Sequence, residues 1–399
     1  MTDHTPTGSL LGGYRGRLLV SLSVAWSGIQ LGRYILSPLL PRIIESLGIT
    51  AATAGLGLAL FQLVYAVTQF PSGRVSDAHG RPALVVAGLA LLTASFLLLG
   101  AAVGVVTFGL ALLVLGVGKG LFAIPSRAQL SDVYGDQRGR ALGVYTAGTD
   151  LGGLLASGLA IVALAVATWR APFVPIAAAL AVSAVGYVAW NRDAYAVGRT
   201  DLELRATVRR LAATRAQREV LVAFGLFYFV VGGIVNFLPT FLERTKDFDP
   251  ALASGLFALV FAVGIPVKPV AGTLSDRFSR RGIAVAGLLL AAAAMGLLVA
   301  ASSLLAVGAA IVLLAAGYKT QFPLADAVVM DAAPDANVGA ALGAARAVFL
   351  GVGALGPAYV GVVADAASYD VAFLGLAATL LGCAALLGYR RALSVARTS

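Results

Sequence analysis

The chain has 399 residues, of which 59% are hydrophobic and only 12% charged; its mean hydropathy is +0.90 and its formal net charge +10. A water-soluble core cannot absorb that much apolar surface, and the charged fraction lies well below the roughly 25% of soluble domains. The basic balance does not point to nucleic acid, because the basic residues cluster between apolar runs rather than along one soluble face.

In chain order, twelve apolar runs are each long enough to cross about 30 Å of hydrocarbon as a helix. They lie near Leu18–Leu40, Ala51–Pro71, Ala83–Val103, Val105–Ile124, Ala141–Ala167, Ala171–Trp190, Val220–Leu242, Ala251–Ala271, Ile283–Ala301, Leu304–Leu324, Val338–Ala364 and Val371–Tyr389. The 47 glycines let helix backbones approach closely, as bundles in lipid require. Segment Met1–Gly13 is short and polar without a signal-peptide pattern, so the first run is expected to direct insertion itself.

With both termini cytoplasmic, the inner segments hold twenty basic residues, among them Arg74, Arg81, Arg127, Arg138, Arg277, Arg280 and Arg281, and seven arginines between Arg192 and Arg218. The outer loops hold four: Arg42, Arg170, Arg244 and Lys246. The positive-inside rule therefore predicts a multi-pass protein of the cell membrane with both termini in the cytoplasm. Cys383 is the one cysteine, so no intrachain disulfide forms.

Residues recur at a separation close to 200: Lys119 and Lys319, Phe122 and Phe322, Gly139 and Gly339, Gly143 and Gly343, Phe173 and Phe373. Earlier in each half the separation slips slightly, so that GRVSDAHGR from Gly73 matches GTLSDRFSR from Gly272, and Pro41 with Glu45 matches Pro239 with Glu243. Random apolar sequence repeats Leu and Ala, not Lys, Asp and Glu. The repeat divides the chain into a six-helix bundle over residues 1–190, a cytoplasmic linker over 191–219 and a second six-helix bundle over 220–399. Parallel repeats imply a pseudo-twofold axis along the membrane normal and a solute site where the bundles meet. The linker is either a solvated strap or a helix lying on the inner membrane surface.

At these residues the chain resembles the major facilitator superfamily, over essentially its whole length. That family's loop between helices 2 and 3 reads Gly-x-x-x-Asp-(Arg/Lys)-x-Gly-(Arg/Lys)-(Arg/Lys). Here it is Gly73, Asp77, Gly80 and Arg81, with Ala78 and Pro82 at the other basic positions; the second copy is Gly272, Asp276, Arg277, Arg280 and Arg281, with Ser279 for the second glycine. The resemblance implies an all-α fold of twelve transmembrane helices in two pseudo-symmetric bundles, and secondary active transport by alternating access, with Asp77 and Asp276 as gating residues. The family's helix-4 arginine is Leu112 here, so its role does not carry over. GVGKG from Gly116 lacks the Ser or Thr of a phosphate loop, which excludes nucleotide hydrolysis.

A charge inside the bilayer costs about 2.5–3.5 kcal/mol even on lenient insertion scales. Six stand out: Arg33, Lys119, Asp150, Lys268, Lys319 and Arg346; none falls on runs 3, 6, 9 or 12. Three of the four lysines are intramembrane, and a compact ammonium whose pKa can fall on burial suits a transport site. At a rise of roughly 1.5 Å per residue, Lys119, Asp150, Lys319 and Arg346 lie about 12–16 Å from the inner helix ends. Lys268 is shallower and within reach of the inner surface by snorkelling, and Arg33 is nearer the outer side.

One reading is a cationic cavity for a small anionic solute, with Lys119 and Lys319 as symmetry-related arms, Arg33 and Arg346 as further clamps, and Asp150 balancing Lys119 or carrying a proton. The other is structural pairing, Lys119 with Asp150 and Lys319 with Asp326. Proton-coupled drug efflux is the alternative function; a membrane sensor or embedded enzyme finds no catalytic constellation or metal-ligand spacing. Expected partners are the solute, a coupling ion and the lipid bilayer, without nucleic acid, cofactor or metal, in a monomer.

Overall fold

The computed structural model describes residues 10–166, 168–193, 215–331 and 338–395, and these are helical throughout with no strand among them. The helices are α1 (Gly13–Tyr34), α2 (Leu36–Leu47), α3 (Ala51–His79), α4 (Arg81–Gly100), α5 (Val105–Tyr134), α6 (Arg138–Val166) and α7 (Phe173–Trp190), here called the N-terminal half. The C-terminal half comprises α8 (Arg215–Thr245), α9 (Pro250–Arg277), α10 (Arg280–Ala300), α11 (Leu304–Lys319), α12 (Gln321–Asp331), α13 (Val338–Gly353), α14 (Leu355–Ala366) and α15 (Tyr369–Val395). Most of the linker, residues 194–214, with its proposed surface helix, lies outside the described residues.

Three apolar runs that read as continuous are broken helices, and each break has the same cause. Ile35, Thr320 and Ala354 interrupt the first, tenth and eleventh spans, and Pro38, Pro323 and Pro357 each stand three residues further on. Proline has no N–H to give the carbonyl four residues back and its ring crowds that carbonyl, so the helix parts there. The spans are thus α1 with α2, α11 with α12, and α13 with α14. Among the described residues eleven stretches are long and apolar enough to cross a membrane. The first span falls short of that threshold because it carries Gln30 and Arg33, and makes the twelfth crossing.

Several helices outrun their apolar runs on the side where the termini lie. α3 continues to His79, α5 to Tyr134 and α9 to Arg277, ending in polar turns. That extension carries Arg127, expected in a loop, into α5.

The repeat is visible in the packing. α4 packs on α5 and on α7 as α10 packs on α11 and on α15, and α1 on α6 as α8 on α13. A Cβ on Gly88 would stand 2.9 Å from the Gly118 carbonyl, and one on Gly287 would stand 2.9 Å from the Gly317 carbonyl, so the same close approach recurs in each half. With no hydrophobic drive between helices in lipid, such contacts supply the packing energy.

In the first loop motif Gly80 takes φ +78° to end α3 and open α4, and Arg81 pairs with Asp132 at 2.8 Å. In the second copy Ser279 stands where the glycine was, and its hydroxyl caps α10 by accepting from the Gly282 N–H at 3.3 Å. Gly73 and Gly272 lie within α3 and α9, and Arg277, Arg280 and Arg281 sit at the junction of α9 with α10. The side chains of Asp77 and Asp276 lie outside the described residues.

The halves touch along α3 with α13 and α14, α6 with α9, and α2 with α8. At the end remote from the termini the α14 carboxylate of Asp365 accepts from the first N–H groups of α3, Ala52 at 2.7 Å and Ala51 at 3.3 Å. A carboxylate on a helix N-terminus satisfies orphan donors and meets the positive end of the dipole. Here it also ties one half to the other. Replacing Asp365 by Ala is expected to weaken the remote seal by about 0.5–2 kcal/mol, the range of a lost cap. Ser37→Cys, whose parent serine is buried in that seal, should then react faster with a membrane-impermeant thiol reagent applied from the remote side. An unchanged rate would show that the contact does not hold the seal.

Candidate functional site

Between the halves lies a cavity of about 390 Å³. Its N-terminal wall takes Trp26, Gln30 and Arg33 from one stripe of α1, Gln62, Tyr65 and Gln69 from one stripe of α3, Lys119 and Arg127 from α5, and Thr146 and Thr149 from α6. The spacings of three, four and seven residues are those of a single helix face. Opposite stand Tyr228, Val231 and Val235 of α8, Phe261 and Lys268 of α9, Tyr318 and Lys319 of α11, Phe322 and Asp326 of α12, and Arg346 and Leu350 of α13. Among the described residues α4, α7, α10 and α15 contribute nothing to the wall, as the absence of charge from their apolar runs suggested.

The ion pairs differ from those the sequence suggested. Asp150, its side chain 4% exposed, does not meet Lys119; it receives Lys319 Nζ at 2.9 Å on one oxygen and Lys268 Nζ on the other. One carboxylate of the N-terminal half thus holds two ammonium groups of the C-terminal half. Lys268 does not snorkel to the surface, since this carboxylate is nearer and drier. Asp326 pairs not with Lys319 but with Arg346, in a two-point contact from Nε at 3.1 Å and from Nη2. The proline break at Thr320 lies between the two residues, so Lys319 and Asp326 are not seven residues apart on one continuous helix.

Lys119 has no carboxylate or hydrogen-bond partner among the described residues. Its ammonium lies 4.7 Å from the ring centroid of Tyr65, 5.6 Å from that of Trp26 and 5.7 Å from that of Phe61, an aromatic cage. Such contacts contribute about 0.5–2 kcal/mol each and leave the charge uncompensated. Arg127 stacks at 5.2 Å on Trp26 and at 5.7 Å on Tyr145, and its buried Nε has no partner among the described residues. Trp26 therefore stands between two cations, its indole N–H held by Thr149 Oγ1 at 2.9 Å.

Arg33 closes the cavity on the remote side. Its Nη2 donates to Asn236 Oδ1 of α8 at 3.2 Å and to Gln62 Oε1 at 3.5 Å, and Ser37 Oγ donates to the Asn236 carbonyl at 3.1 Å. Toward the termini the wall is more open: the Lys268 side chain is 30% exposed and that of Arg346 37%. Among the described residues the hydrogen-bonded closure lies on the remote side and the more exposed cavity side chains lie toward the termini.

Sequence reading missed Arg127, the glutamines and the aromatic rings. Arg127 follows the last residue of an apolar run that stops at Ile124, although the helix does not. The polar run Ser126, Arg127 and Gln129 directly after Pro125 was the available signal.

A model of the Major Facilitator Superfamily matches residues 22–274 and 220–397. The chain is 25% identical over 274 residues to multidrug resistance protein MdtH of Yersinia pestis (strain Pestoides F), covering 67% of each chain. Among solved structures it resembles a bacterial homologue of the human lysosomal transporter Spinster in an inward-facing, unoccupied conformation, with a TM-score of 0.79, 18% identity and 96% of each chain covered. It also resembles a POT family transporter in complex with 5-aminolevulinic acid, with a TM-score of 0.80, 13% identity, and 94% of this chain and 96% of that one covered. These likenesses establish the fold.

Proposed function

The chain belongs to the major facilitator superfamily and is a multi-pass membrane transporter; on that premise we propose that its cargo is a small organic anion, carried by alternating access. One observation carries the reading: among the described residues six cations, Arg33, Lys119, Arg127, Lys268, Lys319 and Arg346, stand against two carboxylates, Asp150 and Asp326, in and beside one cavity. Buried charge is held only where it is compensated or used, and an anion between the halves compensates the excess. The gating role of Asp77 and Asp276 remains part of this proposal.

The arginine-rich segments support cytoplasmic termini by the positive-inside rule, and on that orientation the more exposed side of the cavity faces inward. Asp150, shared by two lysines, is the group best placed to exchange its lysines for a proton, so a coupling ion is expected beside the solute. A monomer suffices, because both walls of the cavity belong to one chain.

Drug efflux is favoured by a different feature, the aromatic lining of Trp26, Tyr34, Tyr65, Tyr228, Phe261, Tyr318 and Phe322, and by the multidrug name of the relative. Purified protein should discriminate the two. Aromatic carboxylates are expected to raise its melting temperature by a few degrees at 100 Kd, where binding contributes about 2.7 kcal/mol, while neutral isosteres and lipophilic amines do not. Stabilisation by amines alone would transfer the assignment to efflux of cationic drugs.

A further inference from the structure

The ionic bridge between the halves has an image under the internal repeat, and in that image the carboxylate is missing. The separation of 200 that relates Lys119 to Lys319 and Gly143 to Gly343 carries Asp150 onto Leu350; the separation of 199 that relates Gly73 to Gly272 carries Lys268 onto Gln69. The image of Lys268, Asp150 and Lys319 is therefore Gln69, Leu350 and Lys119. All three line the central cavity, with Lys119 and Gln69 on the N-terminal half and Leu350 on the C-terminal half, the reverse of the bridge.

Among the described residues both donors of this image lack an acceptor. Lys119 is 5% exposed and carries no counter-charge, and Gln69 is 8% exposed with its Nε2 unpartnered. Leaving a buried donor unsatisfied costs about 1–3 kcal/mol, and more for a charged one. In the filled copy the Asp150 oxygens satisfy both lysines; in the other copy the position that corresponds to Asp150 is the apolar Leu350, which brings no oxygen to the cavity.

We propose that this vacancy is the anion subsite: the carboxylate of the cargo takes, against Lys119 and Gln69, the place that Asp150 takes against Lys319 and Lys268. The inference rests on the anion-transporter reading and adds a position and a class. One ammonium and one neutral amide on the same wall call for a single carboxylate, and the aromatic side chains that line the cavity opposite, Tyr228, Phe261 and Phe322, suit a flat apolar group attached to it. The substrate class is an aromatic or similarly planar monocarboxylate. Bound there, it completes the symmetry and ties the halves together a second time.

Leu350→Asp supplies the missing carboxylate from the chain itself. Melting of the full-length protein is compared for wild type, Leu350→Asp, Lys119→Met and the double variant, with no ligand present. The new aspartate is expected to be tolerated beside Lys119 and to lower the melting temperature by several degrees more once Lys119 is gone, because it then stands uncompensated. Strict additivity of the two changes overturns the subsite. That outcome is separate from a failure of the anion reading, which the compound panel reports. Should Leu350→Asp not fold, benzoate binding to Gln69→Leu and to Lys119→Met decides: each is expected to be weakened roughly tenfold or more, the loss of one charge-assisted or buried hydrogen bond. Benzoate affinity unchanged in both overturns the proposal.

Discussion

Asp150→Asn should cost the protein both its stability and its transport. The substitution keeps the shape of the side chain and removes its charge, leaving Lys319, 5% exposed, and Lys268 as neighbouring ammonium groups with no counter-ion. Breaking a buried ion pair from one side typically costs about 3–5 kcal/mol, because the remaining charge has lost water and partner alike. A drop of that size at the contact between α6 and α9 loosens the two halves where they pivot. In reconstituted vesicles, solute flux is expected to fall by at least tenfold, together with a lower melting temperature. Removing a lysine as well, in Asp150→Asn/Lys319→Met, should restore much of the stability but not the flux, since repulsion is relieved while the titratable carboxylate stays absent. Flux at the wild-type level in the single variant would show that the bridge is neither a pivot nor a coupling group.

Gly361→Val is expected to hold the remote side open. α14 packs on the first turn of α3 so closely that a Cβ on Gly361 would stand 2.2 Å from the Ala51 carbonyl oxygen, and one on Gly55 would stand 2.3 Å from that of Pro357. Those neighbours are backbone and cannot swing aside, so the halves must part by the width of a side chain. Overpacking of this kind costs about 1–3 kcal/mol in the sealed state and little in a state with the seal open. A bias of 1.4 kcal/mol changes the ratio of two states tenfold and one of about 3 kcal/mol more than a hundredfold, so the open state gains at the expense of the sealed one. A cysteine at Ser37 should become reactive from the remote side, and transport should stop while the melting temperature stays close to that of wild type. A full loss of folding in Gly361→Ala, the smallest change, would mean that the contact supports the bundle rather than the gate.

The architecture was legible because bilayer thickness converts directly into run length, and because the recurrence of Lys, Asp and Glu at one separation cannot come from composition. Rise per residue put Lys119, Lys319, Asp150 and Arg346 at one level; Lys119, Lys319 and Arg346 line one cavity, and Asp150 reaches its wall through Lys319 and Lys268. Azimuth was not legible. Which carboxylate Lys119 or Lys319 faces depends on helix rotation and on how the halves approach, and the pairs that form, Asp150 with Lys319 and Lys268, join residues 169 and 118 positions apart. Helix breaks added a second difficulty. Pro323 is plain in the sequence, yet the apolar run passes through it, and the break between α11 and α12 separates Asp326 from Lys319. Gln69 escaped because an amide carries no charge to mark it as out of place, and its significance depends on the absence of a partner in three dimensions.

The proline breaks are unevenly shared between the halves. Two of them, at Thr320 and Ala354, cut spans of the C-terminal half, whereas the N-terminal half has one, at Ile35 just beyond Arg33 and Tyr34; all three cut spans carry cavity side chains. A helix cut in two flexes at little cost, while α3, α5 and α6 run as single helices past the cage of Lys119, with Pro71 and Pro125 inside the first two. One half is therefore a stiff frame that presents a fixed recess, and the other is a jointed arm. The expected working cycle is asymmetric: the arm bends at its joints to close over the cargo before the two bodies rock as wholes.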